Sequence, residues 1–209
     1  MITISYHSVT GVIMINLTKN EKKLLLILLK GFNEYYNSNS ISKVIGLSRV
    51  GTMKIFKKLK KEEIINNKNI GRAVIYTPNF ENEYTQKLMI SLLAEEANEH
   101  KRWKEEFKKL FKEGRIIILY GSIIKNYEVA RDIDLMILQD KREERNIRSI
   151  LREKEKILPK KLHPIIMTTK KFLEGIKNKN KIILNLIKNS VILYGQEKYL
   201  EVIKNVSSR

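Results

Sequence analysis

Two short apolar runs, one ending in a glycine-serine pair and the other opening on a pair of aspartates, constrain this chain more than any other feature. From Arg115 the sequence reads Arg-Ile-Ile-Ile-Leu-Tyr-Gly-Ser, and after nine intervening residues comes Asp-Ile-Asp-Leu-Met-Ile-Leu, starting at Asp132. Residues 116–119 have the length of a buried strand, and Gly121 ends the run with a residue that lets backbone approach a ligand closely. Strand side chains alternate faces, so Asp132 and Asp134 share one side while Ile133, Leu135 and Ile137 take the other. Neighbouring carboxylates repel, and a half-buried pair is tolerated mainly with a cation between them. Mg²⁺ suits that role, since it takes one or two carboxylates and completes its shell with water and substrate phosphates. The bland alternative is a solvated strand end, the commonest setting for a lone Asp-x-Asp. Against it, Ser122 is placed to open a short helix over 123 to about 129, offering its hydroxyl and free N–H groups to phosphate oxygens.

Tyr120-Gly121-Ser122, the basic Lys125 and Asp132-Ile133-Asp134-Leu135 together resemble the minimal nucleotidyltransferases of the polymerase-beta superfamily. The resemblance covers roughly residues 98 to 200, and includes a closing segment similar to Val191-Ile192-Leu193-Tyr194-Gly195-Gln196-Glu197. It implies a small mixed sheet with flanking helices, a Gly121-Ser122 turn gripping a triphosphate with Lys125 in support, and Asp132 and Asp134 binding paired Mg²⁺. ATP is the expected nucleotide. The acceptor is a protein, RNA or small-molecule hydroxyl, with a toxin-like partner protein among the options. Two departures stand out. Asn126 sits where many members have glycine, and the third family carboxylate is missing. After a helix read over 141–157, the next strand reads Leu162-His163-Pro164-Ile165-Ile166-Met167-Thr168, without an acid. His163 falls near the expected position, either as a general base with an ordinary pKa of about 6.5 or as a merely nearby histidine. Whether the chain turns over substrate is therefore open at this point.

The first eighty residues have a different rhythm. Thr18 with Glu21 three residues on forms a capping box ahead of six consecutive aliphatic residues, 24–29. Asn- and Ser-rich residues 37–40 read as a loop, 41–45 as a short helix, and Gly46-Leu47-Ser48 as a turn whose serine caps a helix over 49–62. In that helix Met53, Phe56 and Leu59 give an inward stripe, leaving Arg49, Thr52, Lys54, Lys57, Lys58 and Lys61 for other faces. Residues 64–65 and 73–76 flank an Asn-rich turn ending in Gly71-Arg72, which reads as a two-stranded wing. This order resembles the winged helix-turn-helix domains of transcription regulators, with the Leu47-Ser48 turn and the closing Gly-Arg-Ala-x-x-Tyr. The resemblance implies DNA binding through Arg49, Thr52, Lys54, Lys57, Lys58 and Arg72, the early residues at base edges and the later lysines with Arg72 on phosphate. Such modules also serve as protein adaptors, so a structural role stays open.

Charge agrees with a polyanionic partner. The chain carries 41 Lys and Arg against 23 Asp and Glu, a net +18, and half of that excess lies in the first 80 of its 209 residues. A Lys-, Asn- and Ile-rich composition throughout is the competing explanation. No cysteine is present, which excludes disulfides and thiolate metal sites. The longest aliphatic run is far short of the ~20 residues needed to span a bilayer, and the first residues lack a basic leader, so a cytoplasmic protein is expected. The fold expected is a mixed α+β or α/β chain: a winged helix-turn-helix domain over 1–80, a helical connector over 81–112 with a break near His100, and a nucleotidyltransferase-like domain over 113–209. The connector's stripe of Tyr84, Leu88 and Leu92 either pairs two copies in a homodimer or packs within one chain. Residues 1–15 read as an added strand or as a stretch without an assigned place. Two functions follow: a Mg-dependent nucleotidyltransferase coupled to DNA binding, or a transcription regulator whose second domain senses nucleotide or is inactive.

Overall fold

The computed structural model describes residues 16–139 and 143–207, so the reading of residues 1–15 lies outside the described residues. The chain is a mixed α and β protein with two small sheets, one of two strands and one of four. It runs α1 (Lys19–Lys30), α2 (Ser38–Ile45), α3 (Arg49–Lys61), β1 (Ile65–Ile70), β2 (Ala73–Pro78), α4 (Glu83–Glu99) and α5 (Lys101–Phe107). Then follow β3 (Ile116–Tyr120), β4 (Asp132–Leu138), α6 (Glu144–Ile157), β5 (Lys161–Met167), α7 (Thr169–Lys177), α8 (Lys181–Lys188), β6 (Ser190–Tyr194) and α9 (Gln196–Ser207).

Local signals set the first three helices. The Thr18 hydroxyl accepts from Glu21 N–H while the Glu21 carboxylate accepts from Thr18 N–H, so two otherwise orphaned donors are satisfied at the start of α1. Leu24, Leu25, Leu28 and Leu29 are then fully buried, each contributing about 1.5–3 kcal/mol of transfer free energy. The stretch read as a loop over 37–40 is instead a second capping box: Asn37 accepts from Asn39 and Ser40 N–H, and the Ser40 hydroxyl accepts from Asn37 N–H. Composition alone does not separate an Asn that caps a helix from one that makes a turn. Ser48 caps α3 by accepting from Gly51 N–H at 3.0 Å.

The phase of α3 differs from the expectation. Thr52, Phe56 and Leu59 are buried and point inward, whereas Met53 lies on the exposed side. The wing strands are also longer than read: β1 takes in 66–70, and only Gly71-Arg72 forms the hairpin turn between Ile70 and Ala73. Phe56 stacks on Tyr76 of β2 at 3.8 Å, fastening the hairpin to α3.

The connector breaks at His100, as its polar residues suggested. Its buried residues are Thr85, Met89, Leu92, Leu93 and Ala97, a stripe one position round from Tyr84 and Leu88. Within the chain, the α4 stripe lies against β6, α9 and α1. One apolar cluster runs from Leu24 and Phe56 through Met89 and Leu93 to Ile118, Ile192 and Ile203. A buried Lys30 crosses the same seam, bonded to the Glu96 carboxylate at 2.5 Å and to the Ser190 carbonyl at 2.5 Å. Among the described residues no helix is long and apolar enough to cross a membrane.

The larger sheet has the order β5-β4-β3-β6, with β3 antiparallel to both β4 and β6 and β5 parallel to β4. The parallel pair demands a crossover, and α6 supplies it, burying Ile147 and Leu151. A second apolar cluster beneath this face gathers Trp103, Phe107, Ile117, Ile133, Leu135 and Leu193. Gly195 closes β6 at φ +81, where a Cβ would fall 2.2 Å from the Arg115 carbonyl oxygen. Only glycine fits that crossing.

Candidate functional site

The sheet brings the sequence-selected acids, the glycine turn and His163 to one rim. In β4 Ile133 is fully buried while Asp132 and Asp134 are half-exposed, the alternation expected of a strand lying on a core. Tyr120 at the end of β3 is the register partner of Asp134, so the turn that follows lies directly over that carboxylate. Gly121 there has φ +85, and a Cβ on it would sit 2.1 Å from Asp134 Oδ2. This position therefore excludes every side chain on two counts, conformation and space. Ser122 opens a single 3-10 turn, Ser122–Ile124, rather than the longer helix read over 123–129, and its carbonyl accepts from Lys125 and Asn126 N–H. Ser122 and Lys125 are both exposed.

His163 on β5 is the parallel register partner of Asp134. Its Nδ1 lies 3.3 Å from Asp132 Oδ2 and 3.7 Å from Asp134 Oδ1, between the two carboxylates. Burial raises the pKa of Asp134 above the ordinary carboxylate range, the charge of Asp132 raises it further, and His163 offsets part of that rise. The site is thus short of positive charge. Tyr120, half-buried, has its phenol pushed up by burial and then by Asp134.

These donors fit one hard cation held through its open side. Two carboxylates on the same strand face and reachable from solvent match a Mg²⁺ ion that keeps water and phosphate ligands. An all-protein cage is not present: among the described residues no three His, Cys, Asp or Glu side chains are arranged to hold a metal. The imidazole in the third position is a poorer ligand than a carboxylate for such an ion.

Sequence reasoning overlooked what pins the loop between the turn and the acids. The Arg102 guanidinium lies 4.1 Å and the Lys160 ammonium 4.7 Å from the centre of the Tyr127 ring, and Arg102 donates to the Tyr127 hydroxyl. Lys160 Nζ also donates to the Ala130 carbonyl at 2.6 Å. Two cations on one ring tie residues 125–131 to α5 and to the segment before β5. The partners come from three distant segments, so no local pattern announced them.

The second set of candidates lies on α3 and the wing. Arg49, Lys54, Lys57 and Arg72 are exposed and, among the described residues, carry no ion pair. Thr52 is corrected: it is fully buried and its hydroxyl donates to the Ser48 carbonyl at 3.1 Å, so it cannot reach a partner. Lys58 is engaged too, its Nζ 2.9 Å from the buried Glu21 carboxylate.

Comparison with known proteins adds little. No family model and no curated protein matches the chain. Two solved structures, both of point mutants of Lactococcus lactis ZitR, are similar in part. One aligns at 19% identity and TM-score 0.34, over 46% of this chain and 62% of that one. The other aligns at 18% and 0.32, over 52% and 68%. The chain spans less than two thirds of the first, and similarity at this level carries no functional argument.

Proposed function

We propose that the chain is a DNA-binding regulator whose second part, a nucleotidyltransferase-like domain over residues 113–209, binds a metal-bound nucleoside triphosphate. In this reading residues 1–80 are a winged helix-turn-helix domain and 81–112 the helical connector. The observation that carries it is the meeting of Gly121 with Asp134: the turn backbone passes so near the carboxylate pair that a Cβ would stand 2.1 Å from Asp134 Oδ2, an approach of bare backbone to acid that supports a phosphate and cation site at this rim. Asp132 and Asp134 would hold Mg²⁺, and the Ser122 hydroxyl with Lys125 would take the outer phosphates. A histidine where the family has its third carboxylate favours binding over turnover. Arg49, Lys54, Lys57 and Arg72, exposed and without an ion pair among the described residues, support a nucleic-acid contact in the first part.

One observation favours a second reading, in which the chain transfers a nucleotidyl group. His163 Nδ1 lies within 4 Å of both acids and could accept a proton. An acceptor hydroxyl held beside His163 would give it that proton as its oxygen bonds to the α-phosphorus and the bond to the β-phosphate breaks, releasing pyrophosphate. The bound metal would neutralise charge developing on the phosphates. The acceptor hydroxyl belongs to a protein, an RNA end or a small molecule.

Calorimetric titration with ATP in Mg²⁺ or EDTA, run beside transfer of label from α-labelled ATP, separates the two. Mg-dependent binding without transfer, lost in Asp132→Ala plus Asp134→Ala, supports the regulator. Transfer to the chain or to a captured partner, reduced in His163→Gln, supports the enzyme. Absence of any Mg-dependent binding overturns both.

A further inference from the structure

The outer face of α3 is divided between apolar and basic residues, and the division follows the helix axis. Val50, Met53, Lys54, Lys57 and Lys61 are all exposed and fall at i, i+3, i+4, i+7 and i+11, one continuous stripe. Its first turn is apolar: Val50 is 65% and Met53 39% exposed. Its remainder is lysine. The helix carries six basic residues and no acid, and Arg49 stands beside Val50 at its start.

An exposed valine and methionine on a helix this basic call for a partner that is anionic outside and apolar at depth. Duplex DNA has that combination. Phosphates line the groove, and within the major groove the thymine C5-methyl is the apolar group presented by a base edge. The residues from Val50 to Lys57 span about 10 Å of helix, or roughly three base-pair steps. We infer that Val50 and Met53 are sequence-reading residues that pack against thymine methyl groups, with Lys54 and Lys57 anchoring the flanking phosphates. This rests on the DNA-binding reading of the first part and names what that surface selects. It also explains why Met53, at an inward position by simple spacing, is turned out: Thr52, bonded to Ser48, takes the inward place.

Uracil lacks the methyl and is otherwise the same base, so it is the probe. The full chain is used to select duplexes from a random pool. The selected duplex is then resynthesised with deoxyuridine for each thymidine in turn, and binding is followed by fluorescence anisotropy at fixed salt. The expected result is a drop of roughly fourfold for each contacted methyl. Val50→Ala and Met53→Ala should each erase the thymine-uracil difference at one position while leaving the salt dependence unchanged. The inference is overturned if every deoxyuridine duplex binds like its parent, or if both variants keep the full difference. If wild-type protein binds no duplex even at low salt, the DNA reading falls and takes this one with it. Duplex binding indifferent to the methyl removes the inference alone.

Discussion

Gly121 lies so close to Asp134 that a single added carbon would stand 2.1 Å from the carboxylate oxygen. Turn and acid therefore form one object, and changing either must displace the other. Gly121→Ala is expected to lower stability by about 1–3 kcal/mol for its glycine-only backbone (φ +85, ψ −164) alone. It should also reduce Mg-dependent ATP binding at least tenfold, because Asp134 can make room only by rotating away. Urea unfolding and calorimetry on the same variant check both. Unchanged ATP affinity would mean that this turn is not part of the nucleotide site.

Charge at the rim makes a prediction of opposite sign. Burial and the neighbouring Asp132 raise the pKa of Asp134 in the folded state. A group with a raised acid pKa works against folding once ionised, so its cost is absent below the unfolded value and grows as pH rises through the folded one. Asp132→Asn should accordingly stabilise the metal-free protein at neutral pH, by at most about 2 °C in melting temperature for a site this exposed. The same change should abolish any rise in melting temperature that Mg²⁺ gives the wild type. A melting curve in EDTA and another in Mg²⁺ suffice.

Much of this site was legible because its logic is local. Alternation along a strand put Asp132 and Asp134 on one face, and counting to the next strand put His163 near them. Their coming together needed only that β4 and β5 pair in parallel, which the intervening α6 dictates. The Thr18–Glu21 cap and the break at His100 were equally local. What sequence did not carry was any choice made by distant partners. Met53 and Thr52 compete for one inward place, and a hydrogen bond to Ser48 decides it. The cations that hold Tyr127 lie 25 residues before it and 33 after it in sequence. The run from Asn66 to Ile70 has the composition of a loop, yet it is a strand because β2 pairs with it along its whole length.

Acid should weaken the fold through Glu143. Its carboxylate accepts from Lys112 and from the buried Arg115 guanidinium, whose other nitrogen donates to the Leu110 carbonyl at 2.7 Å. These two donors, Lys112 first, hold the Glu143 pKa below the ordinary glutamate range. A depressed acid contributes stability that is present above its unfolded pKa and lost as pH falls through the folded one. Glu143→Gln should therefore be less stable than wild type at pH 7, with the two converging as pH drops below about 4. Denaturant midpoints across that range test it; parallel curves would show that the pair contributes nothing.

The Lys30–Glu96 pair joins α1 to α4 beside β6, and burial lowers the Lys30 pKa while Glu96 opposes the shift. Breaking such a pair from one side leaves an uncompensated charge, which costs about 3–5 kcal/mol, whereas replacing both members with apolar side chains is often neutral. Glu96→Ala should be strongly destabilised, and Lys30→Met with Glu96→Leu should recover most of the loss. Chemical unfolding of the wild type and these two variants decides whether the seam depends on its charge or on its packing.

Two lysines a residue apart on α3 should behave oppositely. Lys57 is exposed and has no ion pair among the described residues, while Lys58 is held by Glu21, which also closes the cap of α1. If α3 lies along DNA, Lys57→Ala removes about one phosphate contact, so the slope of log affinity against log salt should become shallower by roughly one. Lys58→Ala should leave that slope alone. It leaves the Glu21 carboxylate buried without its cation, so its effect should appear as lost thermal stability instead. Slopes that shift equally for both variants would contradict this division, because the bond from Lys58 to Glu21 would then have to open on binding.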